Sequence, residues 1–65
     1  MVAALRRAGF REVRQRGSHV SLERVDEGRR YRTVVPLHDE LAKGTLRDIL
    51  NQTGLSKEQL LDLLR

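Results

Sequence analysis

Only two side chains in this sequence are suited to exchanging a proton near neutral pH, His19 and His38, and the first stands among arginines. His19 ends the tripeptide Gly17-Ser18-His19; Arg14 and Arg16 precede it, and Arg24 and Arg32 follow in the next segments. An imidazole, with an unperturbed pKa near ~6.5, gives or takes a proton at neutral pH. A guanidinium holds phosphate oxygens in pairs through its planar fork, where an ammonium offers a point charge. Together they suit a phosphodiester that brings its own nucleophile, as RNA does. Its 2′-hydroxyl attacks the adjacent phosphorus, so the protein need only remove one proton, protonate the leaving 5′-oxygen and stabilise the phosphorane. Alternation alone leaves open which of Arg14, Arg16, Arg24 and Arg32 contact phosphate. Residue types alone leave His19 open between a catalytic imidazole and an incidental surface one.

Other chemistries lack the residues to carry them. With no cysteine, neither a disulfide framework nor a zinc knuckle is available, and the chain suits a reducing compartment, the cytoplasm by default. Asp39 and Glu40 follow His38, but no second imidazole stands at helical spacing, so no metal is expected. There is no Ser-His-Asp order, Gly-rich phosphate loop or nucleotide-binding fingerprint, and 65 residues could hardly enclose a small-molecule cofactor. No cofactor is expected. No apolar run nears the ~18 residues of a membrane span, and the N-terminus lacks the apolar core and cleavage site of a signal peptide, so neither membrane insertion nor export is expected.

Charge is unevenly spread. The net +4 divides into nine arginines against four acids from Met1 to Arg32, or +5, and four basic against five acidic residues from Thr33 onward, or −1. The first half is therefore the one that faces a polyanion. A chain of this length reads as one domain, 1–65, that buries only roughly 60% of its unfolded surface and is marginally stable without a partner.

The elements that must position these groups follow from periodicity. Val2, Leu5 and Ala8 fall at helical spacing, and Gly9-Phe10 reads as a Schellman ending with Phe10 packed back on Leu5. Arg11 to Arg16 has strand period, with Glu12, Arg14 and Arg16 on one face and Val13 and Gln15 on the other. Gly17 permits a tight reversal. From Ser18 to Val25, Val20 and Leu22 share one face while His19, Ser21 and Glu23 take the opposite one. Asp26-Glu27-Gly28 signals a second turn, and Arg30 to Val35 a third strand with Tyr31, Thr33 and Val35 inward, stopped by Pro36. Leu37 to Gly44 reads as a polar loop. Thr45 then caps a helix striped by Leu46, Ile49 and Leu50, which ends at Gly54-Leu55 as the first helix did, with Leu55 on Leu50. Ser56 and Gln59 form a capping box for a last helix with a wide apolar arc of Leu60, Leu61, Leu63 and Leu64. The order α-β-β-β-α-α predicts an α+β fold, a three-stranded antiparallel sheet with helices on one face and the other face open.

Four stretches, in this order and spacing, resemble the HicA family of toxins: Leu5 through Gly9-Phe10, Arg14-Gln15-Arg16-Gly17-Ser18-His19, Val35-Pro36-Leu37-His38, and Lys43-Gly44-Thr45-Leu46-Arg47-Asp48-Ile49-Leu50. A G-S-H tripeptide alone is weak; joined to V-P-x-H and K-G-T-L-x-x-I-L it is specific. The resemblance covers nearly the whole chain and implies a double-stranded-RNA-binding-like fold, metal-independent cleavage of messenger RNA, and neutralisation by a HicB-like antitoxin. The family's catalytic histidine falls on His19. Many relatives carry a second histidine directly after it, where this chain has Val20, expected in the core. Relatives also begin with a longer segment before the first helix, so a start at Met1-Val2 reads as trimmed or late, with RNA affinity and stability both expected to suffer.

His38 reads as a hydrogen-bonded structural residue rather than the general acid. Lys43 and Arg47 flank a helix start, where phosphate is already attracted, and either contact RNA or are solvated. Gly17 and Ser18 are expected to hold the turn against the RNA backbone. Phe10 and Tyr31, the only aromatics, sit where core packing explains them. Without a stacking platform, backbone and shape contacts should dominate over base reading. Two other classes compete with the nuclease: a non-catalytic RNA-binding module of the same fold, and a protein-interaction domain whose arginines meet an acidic partner.

Overall fold

The computed structural model describes residues 1–38 and 41–65. Asp39 and Glu40, weighed above beside His38, lie outside the described residues. The elements are α1 (Val2–Arg7), β1 (Arg11–Arg16), β2 (His19–Asp26), β3 (Arg29–Pro36), α2 (Lys43–Thr53) and α3 (Lys57–Leu64). The strands form one antiparallel sheet in the order β1-β2-β3, so β2 is central. Helices cover one face, the α+β arrangement that the order of elements predicts.

Inward-facing residues of β2 and β3 make the floor of the core. Val20, Leu22, Thr33 and Val35 are buried there together with Leu5 of α1, Phe10, Ile49 of α2 and Leu60 of α3. Val20 is thus a core residue, and Tyr31, Thr33 and Val35 share the inward face as alternation requires. α1 ends in the expected Schellman geometry: Phe10 N–H donates to the Leu5 carbonyl and Gly9 N–H to that of Arg6, each at 3.0 Å, with Gly9 at φ +98°. Two turns of helix are too short to hold alone, and α1 is kept in place by burying Ala4 and Leu5 and by docking on α3. Arg7 Nη1 donates to the carbonyls of Leu63, at 3.0 Å, and Arg65, at 3.1 Å, occupying acceptors that the end of α3 leaves open.

Both ends of α2 differ from expectation. The helix begins at Lys43 with Ala42 as N-cap and no side-chain cap bond, so Thr45 lies inside its first turn. Burial of Ile49 against the sheet, with Leu46 and Leu50 packed beside it, sets the start in place of a polar cap. At the other end Gly54 is left-handed and its N–H donates to the Leu50 carbonyl at 3.1 Å, a single-bond αL ending rather than a Schellman motif. Leu55 N–H, which a Schellman motif would direct into the helix, donates instead to Thr53 Oγ1 at 3.3 Å, while that hydroxyl donates to the Ile49 carbonyl at 2.7 Å. The Ser56/Gln59 capping box of α3 is complete, with bonds of 3.1 and 2.8 Å. The apolar arc of α3 is narrower in use than in sequence: Leu60 is buried and Leu63 partly so, while Leu61 and Leu64 are about half exposed.

One irregularity redirects the basic residues. β1 pairs with β2 as Arg11↔Glu23 and Glu12↔Leu22, then resumes as Arg14↔Ser21, Gln15↔Val20 and Arg16↔His19, with Val13 as the extra residue of a β-bulge. Residues directly opposite in an antiparallel pair share a face. Glu12 therefore parts from Arg14 and Arg16, contrary to the plain alternation. It joins the helix side with Leu22, and its carboxylate lies 2.7 Å from Arg6 of α1. Arg14 and Arg16 go to the open face.

Candidate functional site

His19 opens β2 directly after a two-residue connection, Gly17-Ser18, closed by the Arg16↔His19 pair. Gly17 has φ +54°, a conformation that costs a residue bearing a Cβ, and this lets the chain reverse within two residues and deliver Arg16 and His19 side by side. On its other flank His19 is opposite Pro36 of β3. The ladder runs on past that pair, with Leu37 N–H donating to the Ser18 carbonyl at 2.6 Å. His19 is exposed, on the face opposite Val20 and Leu22. A rigid central strand thus carries the imidazole on the open side of the sheet.

Pairing in the sheet sorts the arginines. The open face carries Arg11, Arg14 and Arg16 from β1, His19, Ser21, Glu23 and Val25 from β2, and Arg30, Arg32 and Val34 from β3. Across an antiparallel pair the facing Cβ atoms are about 5 Å apart, so the Arg16 guanidinium is within easy reach of a phosphate held at the His19 ring. Among the described residues Glu23 is the one carboxylate on this face, and it lies 3.3 Å from Arg30 Nε. Arg14, Arg16 and Arg32 have no ion pair among the described residues. Val25 and Val34, exposed by 62% and 47%, place aliphatic surface between the charges.

Arg14, Arg16, Gly17, Ser18, His19 and Arg32 therefore come together at one face and its adjoining turn. Arg24, Lys43 and Arg47 do not join them. Arg24 lies on the helix side, in register with inward-facing Tyr31 and on the same alternation as Val20 and Leu22. Lys43 and Arg47 are exposed on α2, which packs against β3 in the helix layer. Sequence reasoning missed Arg11 and Arg30. Alternation against Tyr31, Thr33 and Val35 was enough to place Arg30 outward, whereas Arg11 is placed by strand pairing.

His38 is exposed two residues beyond the Pro36 that faces His19, and its ring makes no hydrogen bond among the described residues. The Phe10 and Tyr31 side chains both lie on the helix side, so the open face presents no phenyl or phenol ring for a base to stack on. Among the described residues no three His, Cys, Asp or Glu side chains gather as metal ligands, and no helix is long and apolar enough to cross a membrane.

No curated protein and no solved structure matches the chain. A family model does: that described as the HicA toxin of bacterial toxin-antitoxin, over residues 1–55, which takes in α1, the whole sheet with its Gly17-Ser18-His19 turn, and α2. With the match running over most of its length and the α-β-β-β-α-α order in place, the chain belongs to the HicA toxin family of bacterial toxin-antitoxin systems.

Proposed function

We propose that residues 1–65 act as one toxin domain, an endoribonuclease that cuts messenger RNA in the cytoplasm without a metal ion, using His19 for proton transfer and the arginines of the open face to hold the ribose-phosphate chain. The observation that carries this reading is the placement of an exposed imidazole directly across from Arg16, on a face that also bears Arg14 and Arg32.

In the forward step the unprotonated nitrogen of His19 takes the proton of the 2′-hydroxyl. The 2′-oxygen forms a bond to phosphorus, the bond from phosphorus to the 5′-oxygen breaks, and that oxygen takes a proton from solvent water, to which the His19 imidazolium in turn releases its own. The products are a 2′,3′-cyclic phosphate and a 5′-hydroxyl. Arg16, nearest in register to His19, stabilises the added negative charge on the phosphorane, and Arg14 and Arg32 bind the flanking phosphates. With no Phe, Tyr or Trp on this face, contacts to the backbone dominate and base discrimination is weak.

The partner that silences the toxin is a HicB-like antitoxin protein, in keeping with the family's toxin-antitoxin setting. The nuclease is separated from a non-catalytic RNA-binding module by one experiment: incubate the chain with RNA in excess chelator and compare it with His19→Ala. Cleavage by the wild type that is lost in His19→Ala, with RNA affinity kept, is the expected result. Absence of cleavage from both, with binding intact, would make the chain a binding module.

A further inference from the structure

Arg24 has a setting unlike that of the other arginines. Its guanidinium lies between two rings, 5.3 Å from the Phe10 centroid and 4.9 Å from that of Tyr31. Its stem passes close to the backbone at Gly9, where a Cβ would come 3.4 Å from Arg24 Cδ. The group is therefore held in one place by packing, and its planar cation is stabilised by two aromatic faces. Its hydrogen bonding is incomplete. Among the described residues Nη1 has a single long contact, 3.5 Å to the Ala8 carbonyl, and Nε is buried without a partner. None of the ion pairs among the described residues includes Arg24.

This cation lines an open hollow of about 340 Å³ between α1 and α3, completed by Ala8, Leu55, Gln59, Asp62 and Leu63. That volume lies at the small end of the range for ligand sites. Carbon predominates in the lining. Among the described residues Asp62 is the only acid in it, and its carboxylate is turned to Arg65 at 3.7 Å. Gln59 is occupied by the capping box of α3, and Arg7 by the carbonyls at the end of that helix. A fixed, incompletely bonded guanidinium at the edge of an aliphatic hollow selects a negatively charged planar group attached to an apolar body.

We propose that this hollow binds a carboxylate carried on a branched aliphatic group, with Arg24 as the cationic anchor and Leu55 and Leu63 as the apolar wall. The site is separate from His19, because Arg24 and His19 are on opposite faces of the sheet. Such a carboxylate comes either from a free small acid or from an acidic residue beside a leucine in a peptide segment.

The test follows arginine Nε–H and leucine methyl signals by NMR. The probes are 4-methylpentanoate against 4-methylpentanamide, and the blocked tripeptide Leu-Asp-Leu against Leu-Asn-Leu. One or both carboxylates should shift Arg24, Leu55 and Leu63, each with its amide counterpart binding about 10-fold more weakly, as expected for loss of a charge-assisted hydrogen bond. The carboxylate that binds tighter identifies the source. Arg24→Lys keeps a cation near the rings but loses the planar fork, and weakens binding by about 10-fold. Asp62→Asn, an exposed position that does not threaten folding, removes a neighbouring negative charge and strengthens binding about 2-fold. Equal binding of acid and amide, indifference to both substitutions, shifts confined to the open face, or no response up to about 50 mM of any probe would overturn the proposal.

Discussion

Lowering the charge of the open sheet face changes the salt dependence of RNA affinity by an amount that can be worked from the strand pairing. Among the described residues five arginines, Arg11, Arg14, Arg16, Arg30 and Arg32, share that face with one carboxylate, Glu23, which lies 3.3 Å from Arg30. About four guanidiniums are thus left for phosphates. Each phosphate neutralised on a single strand contributes about −0.7 to the slope of log K against log salt, so the wild-type slope is about −2.8 and affinity falls about 50-fold between about 50 and 200 mM salt. Arg32→Ala takes one contact away, lowering the slope to about −2.1 and the loss to about 20-fold. Arg47→Ala, on α2 in the helix layer, leaves the wild-type slope unchanged. Fluorescence anisotropy with a 2′-deoxy oligonucleotide, which is bound without being cut, reads these slopes directly. A wild-type slope near zero would refute the assignment of this face to RNA, and so would a slope that Arg47→Ala lowers as much as Arg32→Ala does.

Three further outcomes are expected. His19→Ala, at an exposed position, should lower the cleavage rate by about 10²- to 10⁴-fold while changing unfolding free energy by less than about 0.5 kcal/mol, as single-turnover assays and urea titrations will show. Thr53→Val keeps the shape of a fully buried side chain but removes the acceptor of Leu55 N–H, and should cost about 1–2 kcal/mol in urea unfolding. Leu22→Ala, at the centre of β2 and fully buried, should cost about 2–5 kcal/mol, enough to unfold much of a domain this small; a loss under about 1 kcal/mol would contradict the core assignment.

What was legible in the sequence depended on how local its cause was. The Ser56/Gln59 box, the Schellman ending at Gly9 and the inward set Val20, Leu22, Thr33 and Val35 depend on residues a few positions apart, and each was readable. The bulge at Val13 was not, because an inserted residue has meaning only against the strand it faces. Its effect on the proposed site is large, since it splits Glu12 from Arg14 and Arg16 and sends only the latter pair to the face of His19. The start of α2 was misjudged because Thr45 has the chemistry of a cap, whereas packing of the helix on the sheet moved the start to Lys43. Arg24 shows the opposite failing. Its parity with Val20 and Leu22 already assigned it to the helix side, but its charge suggested solvent; two rings and the approach of Gly9 make an inward guanidinium tolerable.

The most direct measurement compares an RNA oligonucleotide with its fully 2′-deoxy counterpart, in chelator, and determines the end groups of any product. If His19 withdraws a proton from the ribose beside an arginine-held phosphate, the ribose strand yields fragments ending in 2′,3′-cyclic phosphate and the deoxy strand stays whole. Efficient cutting of the deoxy strand, or wild-type activity retained by His19→Ala, would contradict it.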